Sequence, residues 1–128
     1  MNKSFRDLRV WQNAMDLAEQ VYLLTDRFPQ REVYGLSSQM RRAAVSIASN
    51  IAEGSARTTR RDFRNFVMIA KGSTCELQTQ LILAARLGYA TAEQLEKASA
   101  MASTVASMLS GLSEFLKRPK ATPPERTT

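Results

Sequence analysis

The stretch that decides the fold is residues 39–64, QMRRAAVSIASNIAEGSARTTRRDFR. Its first half places apolar side chains three and four residues apart, which is the spacing of one face of an α-helix. The apolar residues on this face are Leu36, just before the stretch, and Met40, Ala43, Ile47 and Ile51. We expect Gly54 to end the helix by taking the left-handed conformation that is common at helix termini. Four arginines follow, so the stretch predicts a packed helix that leads into a cationic turn.

Apolar residues at helical spacing also lie on both sides of this stretch. Proline is scarce, at 4 residues, which favours a few long helices over many short strands. We expect four helices, over about residues 5–27, 34–53, 59–87 and 91–117. Ser4, Thr59 and Thr91 are each followed three residues later by Asp or Gln, a pattern typical of helix starts. Gly88 predicts the end of the third helix.

Four long helices with short connections are typical of an all-α, antiparallel up-down-up-down four-helix bundle. The length of 128 residues suits one domain, which we place at residues 1–118. The polar segment 119–128 has no apolar periodicity, so we predict a disordered tail. Trp11 and Cys75 fall in apolar helical rows, and we expect both in the core. The outer positions of the fourth helix are small and uncharged, which suits either an ordinary surface or close contact with a neighbouring subunit. These positions are Ser99, Ser103, Ser107 and Ser110.

The composition restricts the chemistry of the chain, which contains no histidine and one cysteine. A zinc site needs several Cys or His ligands, so we predict no metal site. Without histidine, the commonest general base and the usual Ser–His and Cys–His pairs are missing. We therefore expect a protein that is not an enzyme and has no cofactor. The N-terminus lacks a signal-peptide core and no apolar run is long enough to span a membrane, so we expect a cytoplasmic protein.

The net charge of +6 is concentrated in one part of the sequence. Residues 35–71 carry seven basic and two acidic side chains, whereas the rest of the chain is nearly balanced. Four of these basic residues are Arg57, Arg60, Arg61 and Arg64. A localised basic patch favours a polyanionic or acidic partner more strongly than a diffuse surplus of charge does.

A polar stripe runs beside the apolar face of the second helix and has a counterpart on the third. Its residues are Arg42, Ser46, Asn50, Glu53, Ser73 and Glu76. One interpretation makes Glu53 and Glu76 the acid and base of a hydrolase, but the sequence supplies no nucleophile, metal or evident substrate pocket. We prefer a structural network, with Arg42 pairing with Glu76, that fixes helix register or a subunit contact.

Several of these motifs resemble one protein family. They are Phe5-x-x-Leu8-x-Val10-Trp11-Gln12, Phe28-Pro29, Tyr34-Gly35-Leu36, much of residues 39–54, Phe63-x-x-Phe66, Ala70-x-Gly72-Ser73-x-x-Glu76-Leu77 and Leu87-Gly88-Tyr89. Over about residues 5–117 the chain resembles the four-helix-bundle proteins encoded in intervening sequences of bacterial 23S rRNA genes. The resemblance implies a homopentamer with a central channel. The family is similar to the accessory protein of diversity-generating retroelements, which binds nucleic acid and a reverse transcriptase.

Two functions remain open from the sequence. In the first, an oligomer binds RNA or DNA with low sequence specificity through Arg57, Arg60, Arg61 and Arg64, since arginine donates two hydrogen bonds to phosphate. Arg41, Arg42 and Lys71 are possible extensions of that surface. In the second, the protein is a scaffold for a partner protein with no direct role in nucleic-acid binding. A solvated helix corner with no partner is the plain alternative to both.

Overall fold

The computed structural model describes residues 4–119 and consists of helices. Short 3₁₀ turns at Phe5–Asp7 and Gln30–Glu32 accompany four α-helices. The α-helices are α1 (Arg9–Thr25), α2 (Leu36–Ser55), α3 (Arg60–Arg86) and α4 (Ala92–Lys117). The predicted all-α class and the number of long helices are confirmed.

The four helices form an antiparallel bundle in which each helix packs against two neighbours. Helix α2 lies between α1 and α3, and α4 also packs against both α1 and α3. The interior is filled by one continuous apolar cluster. Its largest fully buried side chains include Leu17, Val21, Met40, Ile47, Ile51, Val67, Leu77, Leu81, Val105 and Leu109. Each such side chain contributes about 1.5–3 kcal/mol by leaving water.

The first helix is shorter than the pattern predicted. Ser4 Oγ accepts a hydrogen bond from the Arg6 N–H at 3.2 Å, which stabilises a 3₁₀ turn instead of the first α-helical turn. Leu8 is extended and separates this turn from α1, which ends at Thr25. Trp11 is half-buried at the edge of the core, so its predicted full burial is only partly met.

Gly54 lies inside α2 instead of ending it by a left-handed turn, and this prediction was wrong. The helix continues to Ser55, and Gly54 is buried where α2 meets α3. A Cβ atom at Gly54 would lie 2.7 Å from Phe66 Cβ and 2.9 Å from Phe63 Cδ1. The absence of a side chain therefore allows the two helices to approach closely.

The predicted starts of the last two helices are confirmed. Thr59 Oγ1 accepts a hydrogen bond from the Asp62 N–H at 3.1 Å and caps α3. Thr91 and Gln94 form a reciprocal capping box at the start of α4. Gly88 has φ +70°, which is the left-handed conformation expected just after α3.

A polar contact joins the connection before α2 to the connection before α4. Tyr89 Oη donates a hydrogen bond of 2.6 Å to Glu32 Oε2, and Glu32 Oε1 accepts one from the Leu36 N–H at 3.1 Å. These two bonds, the one from Tyr89 first, lower the pKa of Glu32. The same contact raises the pKa of Tyr89, because the phenol would lose its bond and face a carboxylate on ionisation.

Three further predictions concern the surface and the end of the chain. Cys75 is exposed, so its predicted place in the core was wrong. Within residues 4–119, no helix is long and apolar enough to cross a membrane. Apart from Pro119, the predicted disordered tail lies outside the described residues.

Candidate functional site

The arginine-rich turn lies where α2 ends and α3 begins. We call the side chains of Arg57, Arg60, Arg61 and Arg64 the basic corner. The N–H groups in the first turn of α3, of which that of Asp62 is capped by Thr59 Oγ1, give this end of the helix a partial positive charge. The helix end and the guanidinium groups therefore concentrate positive charge at one end of the bundle.

Two arginines of the basic corner lie over aromatic rings. The Arg57 guanidinium is 4.6 Å from the centroid of the Phe66 ring, and its Nη2 lies 3.1 Å from Glu53 Oε1. The Arg60 guanidinium is 4.7 Å from the centroid of the Phe115 ring. The negative face of each ring attracts the cation and limits the positions that the side chain samples.

Two arginines of the basic corner donate hydrogen bonds to backbone carbonyls near the end of α4. Arg60 Nη1 donates to the Arg118 carbonyl at 3.2 Å, and Arg64 Nε donates to the Ser113 carbonyl at 3.3 Å. The Arg61 side chain is exposed and makes no hydrogen bond with any residue in 4–119. Over the same residues, the ion pairs involve none of Arg60, Arg61 and Arg64, so three of the four cations lack a carboxylate partner.

The structure does not bring Arg41 to the basic corner. Arg41 Nη2 lies 2.8 Å from Asp26 Oδ1, and Arg41 Nε donates to Thr25 Oγ1 at 2.8 Å. Its guanidinium also lies 4.5 Å from the centroid of the Tyr22 ring. Arg41 precedes Ser55, the last residue of α2, by 14 positions, or about 21 Å at 1.5 Å per helical residue. It therefore stabilises the contact between α1 and α2.

Lys71 and Arg42, the other two predicted extensions of the basic corner, lie in different parts of the bundle. Lys71 is half-exposed on α3 and follows Arg64 by two helical turns, which places it about 10 Å farther along the same face. Lys71 can therefore lengthen the basic corner. Arg42 lies about 20 Å along α2 from its last residue, Ser55, which precedes the basic corner, and it faces a separate pocket.

That pocket lies between α2 and α3 and has polar walls. We call it the polar pocket; its volume is about 340 Å³. It is lined by Gln39, Arg42, Ala43 and Ser46 from α2 and by Ser73 and Glu76 from α3. The structure thus brings together four of the six residues predicted to form a polar network.

A hydrogen bond between α2 and α3 and two within α2 organise one wall of the polar pocket. Ser46 Oγ and Ser73 Oγ lie 2.9 Å apart and share a hydrogen bond. Asn50 Nδ2 donates to Ser46 Oγ at 3.0 Å and to the Ser46 carbonyl at 2.8 Å. Glu53 instead pairs with Arg57 and does not join this network.

The predicted pairing of Arg42 with Glu76 is not formed. The two ion pairs found among residues 4–119 involve other side chains, although Arg42 and Glu76 line the same pocket. Gln80 Nε2 donates to Glu76 Oε1 at 3.3 Å and orients that carboxylate. The pocket therefore presents a cation and an anion that do not neutralise each other by direct contact.

An apolar groove on the opposite side of α2 was not predicted from the sequence. It lies between α1 and α2, has a volume of about 690 Å³ and carries Glu19, Asp26 and Ser49 among its lining residues. Its other lining residues are Trp11, Met15, Ala18, Tyr22, Leu23, Val45, Ala48 and Ala52. Leu23 is 64% exposed in this groove. The width of the apolar face of α1 was the available clue, but we interpreted all of it as bundle core.

The fold and these surfaces define a small all-α protein of the four-helix-bundle class, with arginines concentrated at one end. The chain belongs to the 23S rRNA-intervening sequence protein family, which matches residues 6–111. It is similar to a crystal structure of a protein with unknown function from the S23 ribosomal protein family of Bacteroides thetaiotaomicron. That similarity has 26% identity and a TM-score of 0.75, covering 82% of this chain and 95% of the other. None of the curated proteins compared with the chain matches it.

The match confirms the family expected from the motifs. It extends from just after the first 3₁₀ residue to the last turns of α4, so it includes the basic corner and the polar pocket. The further similarity to the accessory protein of diversity-generating retroelements stays a prediction.

Proposed function

We propose that this protein is a non-enzymatic, cytoplasmic homo-oligomer that binds RNA or DNA with low sequence specificity through the basic corner. Five subunits are the number that the family resemblance implies. The observation that carries the proposal is the set of three arginines without carboxylate partners, Arg60, Arg61 and Arg64. These side chains lie together at the start of α3.

Phosphate is the group that this arrangement suits best. A guanidinium can donate two parallel hydrogen bonds to phosphate oxygens, which a lysine ammonium does less selectively. Arg60 is already supported by the Phe115 ring and the Arg118 carbonyl, so less conformational freedom is lost when it binds. Contacts to phosphate alone position the nucleic acid without identifying its bases, and we therefore propose low sequence specificity.

Repetition of the corner around an oligomer would strengthen weak contacts. Three phosphate contacts per subunit predict a slope of log affinity against log salt of about −2 for a single strand and about −2.7 for a duplex. Each additional subunit that engages the same molecule makes the slope steeper, because more counterions are released. Linked sites also gain affinity through their high effective concentration.

The test is to replace Arg60, Arg61 and Arg64 together by glutamine and to measure binding to single-stranded RNA and duplex DNA by fluorescence anisotropy. We expect weaker binding and a flatter salt dependence, because the three phosphate contacts are lost. The matched control replaces Arg27, Arg86 and Lys97 by glutamine. This control removes the same charge from exposed residues at the opposite end of the bundle.

The comparison of the two triple variants decides the assignment. If both reduce the salt dependence equally, only the net charge matters and the basic corner is not the site. If neither the native protein nor the control binds a polynucleotide at low salt, the proposed function is wrong. Circular dichroism of each variant separates loss of binding from loss of helix.

The apolar groove favours a second candidate function, a scaffold that binds a partner protein. A groove with exposed Leu23, Tyr22 and Met15 is an apolar surface of the kind that proteins use to bind one another. Affinity purification after nuclease treatment, performed with native protein and with Leu23→Ser, tests this function. Recovery of one defined protein by the native chain alone would support the scaffold, whereas recovery of nucleic acid alone in a parallel purification without nuclease supports the first proposal.

A further inference from the structure

Two of the segments that carry the family resemblance meet in the polar pocket. All of the pocket's lining residues belong to two of the motif segments, residues 39–54 and residues 70–77. These segments are distant in sequence and lie on different helices, α2 and α3. The fold therefore assembles one polar site from both segments.

The pocket holds opposite charges on opposite walls. Arg42 lies on the α2 wall and is exposed, and its side chain donates no hydrogen bond and forms no ion pair among residues 4–119. Glu76 lies on the α3 wall, where its Oε1 accepts a bond from Gln80 and its Oε2 has no donor among the same residues. Gln80 is buried and does not line the pocket, so it holds the carboxylate without covering the site.

The serine pair adds a hydrogen-bond donor to this site. Ser46 and Ser73 have two hydroxyl protons between them, and their mutual bond uses one. Asn50 Nδ2 donates a further hydrogen bond to Ser46 Oγ and accepts none from either hydroxyl. One hydroxyl proton therefore remains for an acceptor in the pocket.

We propose that the polar pocket binds a small zwitterion of the amino-acid class. The anionic group of the ligand pairs with Arg42 and accepts the free serine proton, while its ammonium pairs with Glu76. The volume of about 340 Å³ lies at the lower end of the range for small-molecule sites, which suits a molecule of this size. No aromatic residue lines the pocket, so it has no platform on which a nucleobase could stack.

This inference is independent of the proposed nucleic-acid binding. Arg42 lies about 20 Å along α2 from Ser55, where the helix ends before the basic corner, and the polar pocket and the basic corner share no residue. A variant in one site can therefore be used as the control for the other.

The experiment is a two-dimensional NMR titration of the full chain with four polar amino acids: serine, glutamine, glutamate and lysine. We expect saturable shifts of the backbone amides of Ala43 and Ser73 with at least one of them, with a Kd of order 1 mM, a value typical of weak polar sites (about −4 kcal/mol). The N-acetyl and carboxamide derivatives of that amino acid each lack one charge. We expect each derivative to bind at least about 10-fold more weakly, because one of the two ion pairs is lost.

Variants complete the test. Arg42→Gln and Glu76→Gln should each weaken binding of the amino acid by about 10-fold or more. Glu76→Gln keeps a carbonyl that can accept the bond from Gln80, so it preserves the local structure. Arg86→Gln changes an exposed arginine at the end of α3 and should leave the affinity unchanged.

Three results would overturn the proposal. The first is the absence of saturable shifts at Ala43 and Ser73 with all four amino acids. The second is equal affinity for the singly charged derivatives. The third is that these amides respond to protein concentration and not to amino acid, which would assign the pocket to contact between copies of the chain.

Discussion

Replacing Gly54 by alanine tests the close approach of α2 and α3. The new Cβ would lie 2.7 Å from Phe66 Cβ and 2.9 Å from Phe63 Cδ1, so the helices would have to move apart by several tenths of an ångström. Overpacking of this kind costs about 1–3 kcal/mol. Alanine returns up to about 1 kcal/mol through its higher helix propensity. We therefore expect Gly54→Ala to lower the free energy of unfolding by about 1 kcal/mol.

Gly72→Ala is the matched control, because a Cβ at Gly72 would meet no atom within 4 Å. Gly72 lies inside α3 on its exposed side, so alanine should raise the free energy of unfolding by about 0.5–1 kcal/mol. The helix-propensity gain is common to both variants. The difference between them, about 1–3 kcal/mol, is then the packing cost alone.

Urea unfolding followed by circular dichroism, at one protein concentration, measures both variants. The concentration must be fixed because association would raise the apparent stability. In a domain of this size, 1 kcal/mol corresponds to about 4 °C in Tm, so the two variants should differ by several degrees. If Gly54→Ala stabilises the protein as much as Gly72→Ala does, the argument from close packing is refuted.

Three further substitutions test other parts of the fold. The pKa of Glu32 is lowered in the folded state, so its contribution to stability is complete above its ordinary value of 4.5 and is lost as the pH falls through the lowered pKa. Tyr89→Phe removes the main cause, and native protein should lose more stability than this variant between pH 7 and pH 3 in urea titrations; equal losses would contradict the assignment. Thr91→Ala removes the cap of α4 and should cost about 1 kcal/mol, whereas Thr104→Ser, at an exposed site, should change little. Met40→Ala should cost about 2–5 kcal/mol by chemical unfolding, and a cost under 1 kcal/mol would show that Met40 is not in a packed core.

Local patterns were sufficient to predict most of the fold. The caps at Thr59 and Thr91 and the stop at Gly88 depend on a few neighbouring residues, and each was found where expected. The apolar spacing of Met40, Ile47 and similar residues was sufficient to predict the core, because helical period alone places them on one face.

The differences arise where a residue's role depends on another helix. Gly54 has the same sequence context as a helix stop, and only the position of Phe66 shows that it serves close packing. The break at Leu8 depends on a competition between two turn types that the capping pattern at Ser4 does not resolve.

In the candidate site too, features set by local sequence could be predicted and features set by contacts between helices could not. Arg41 and Arg42 are adjacent in sequence, but consecutive helical residues point about 100° apart, so they face different neighbours. This could have been predicted from helix geometry alone. The missing Arg42–Glu76 contact could not, because it depends on side-chain positions across two helices.

Helix α2 forms one wall of both the polar pocket and the apolar groove. Ser46 lines the first and Val45 lines the second, because adjacent residues of a helix point about 100° apart and so face different spaces. Because both spaces share α2 as a wall, a sideways displacement of this helix changes the shape of both. A molecule that binds in one space and displaces α2 would therefore alter the other space, which lies only one helix away.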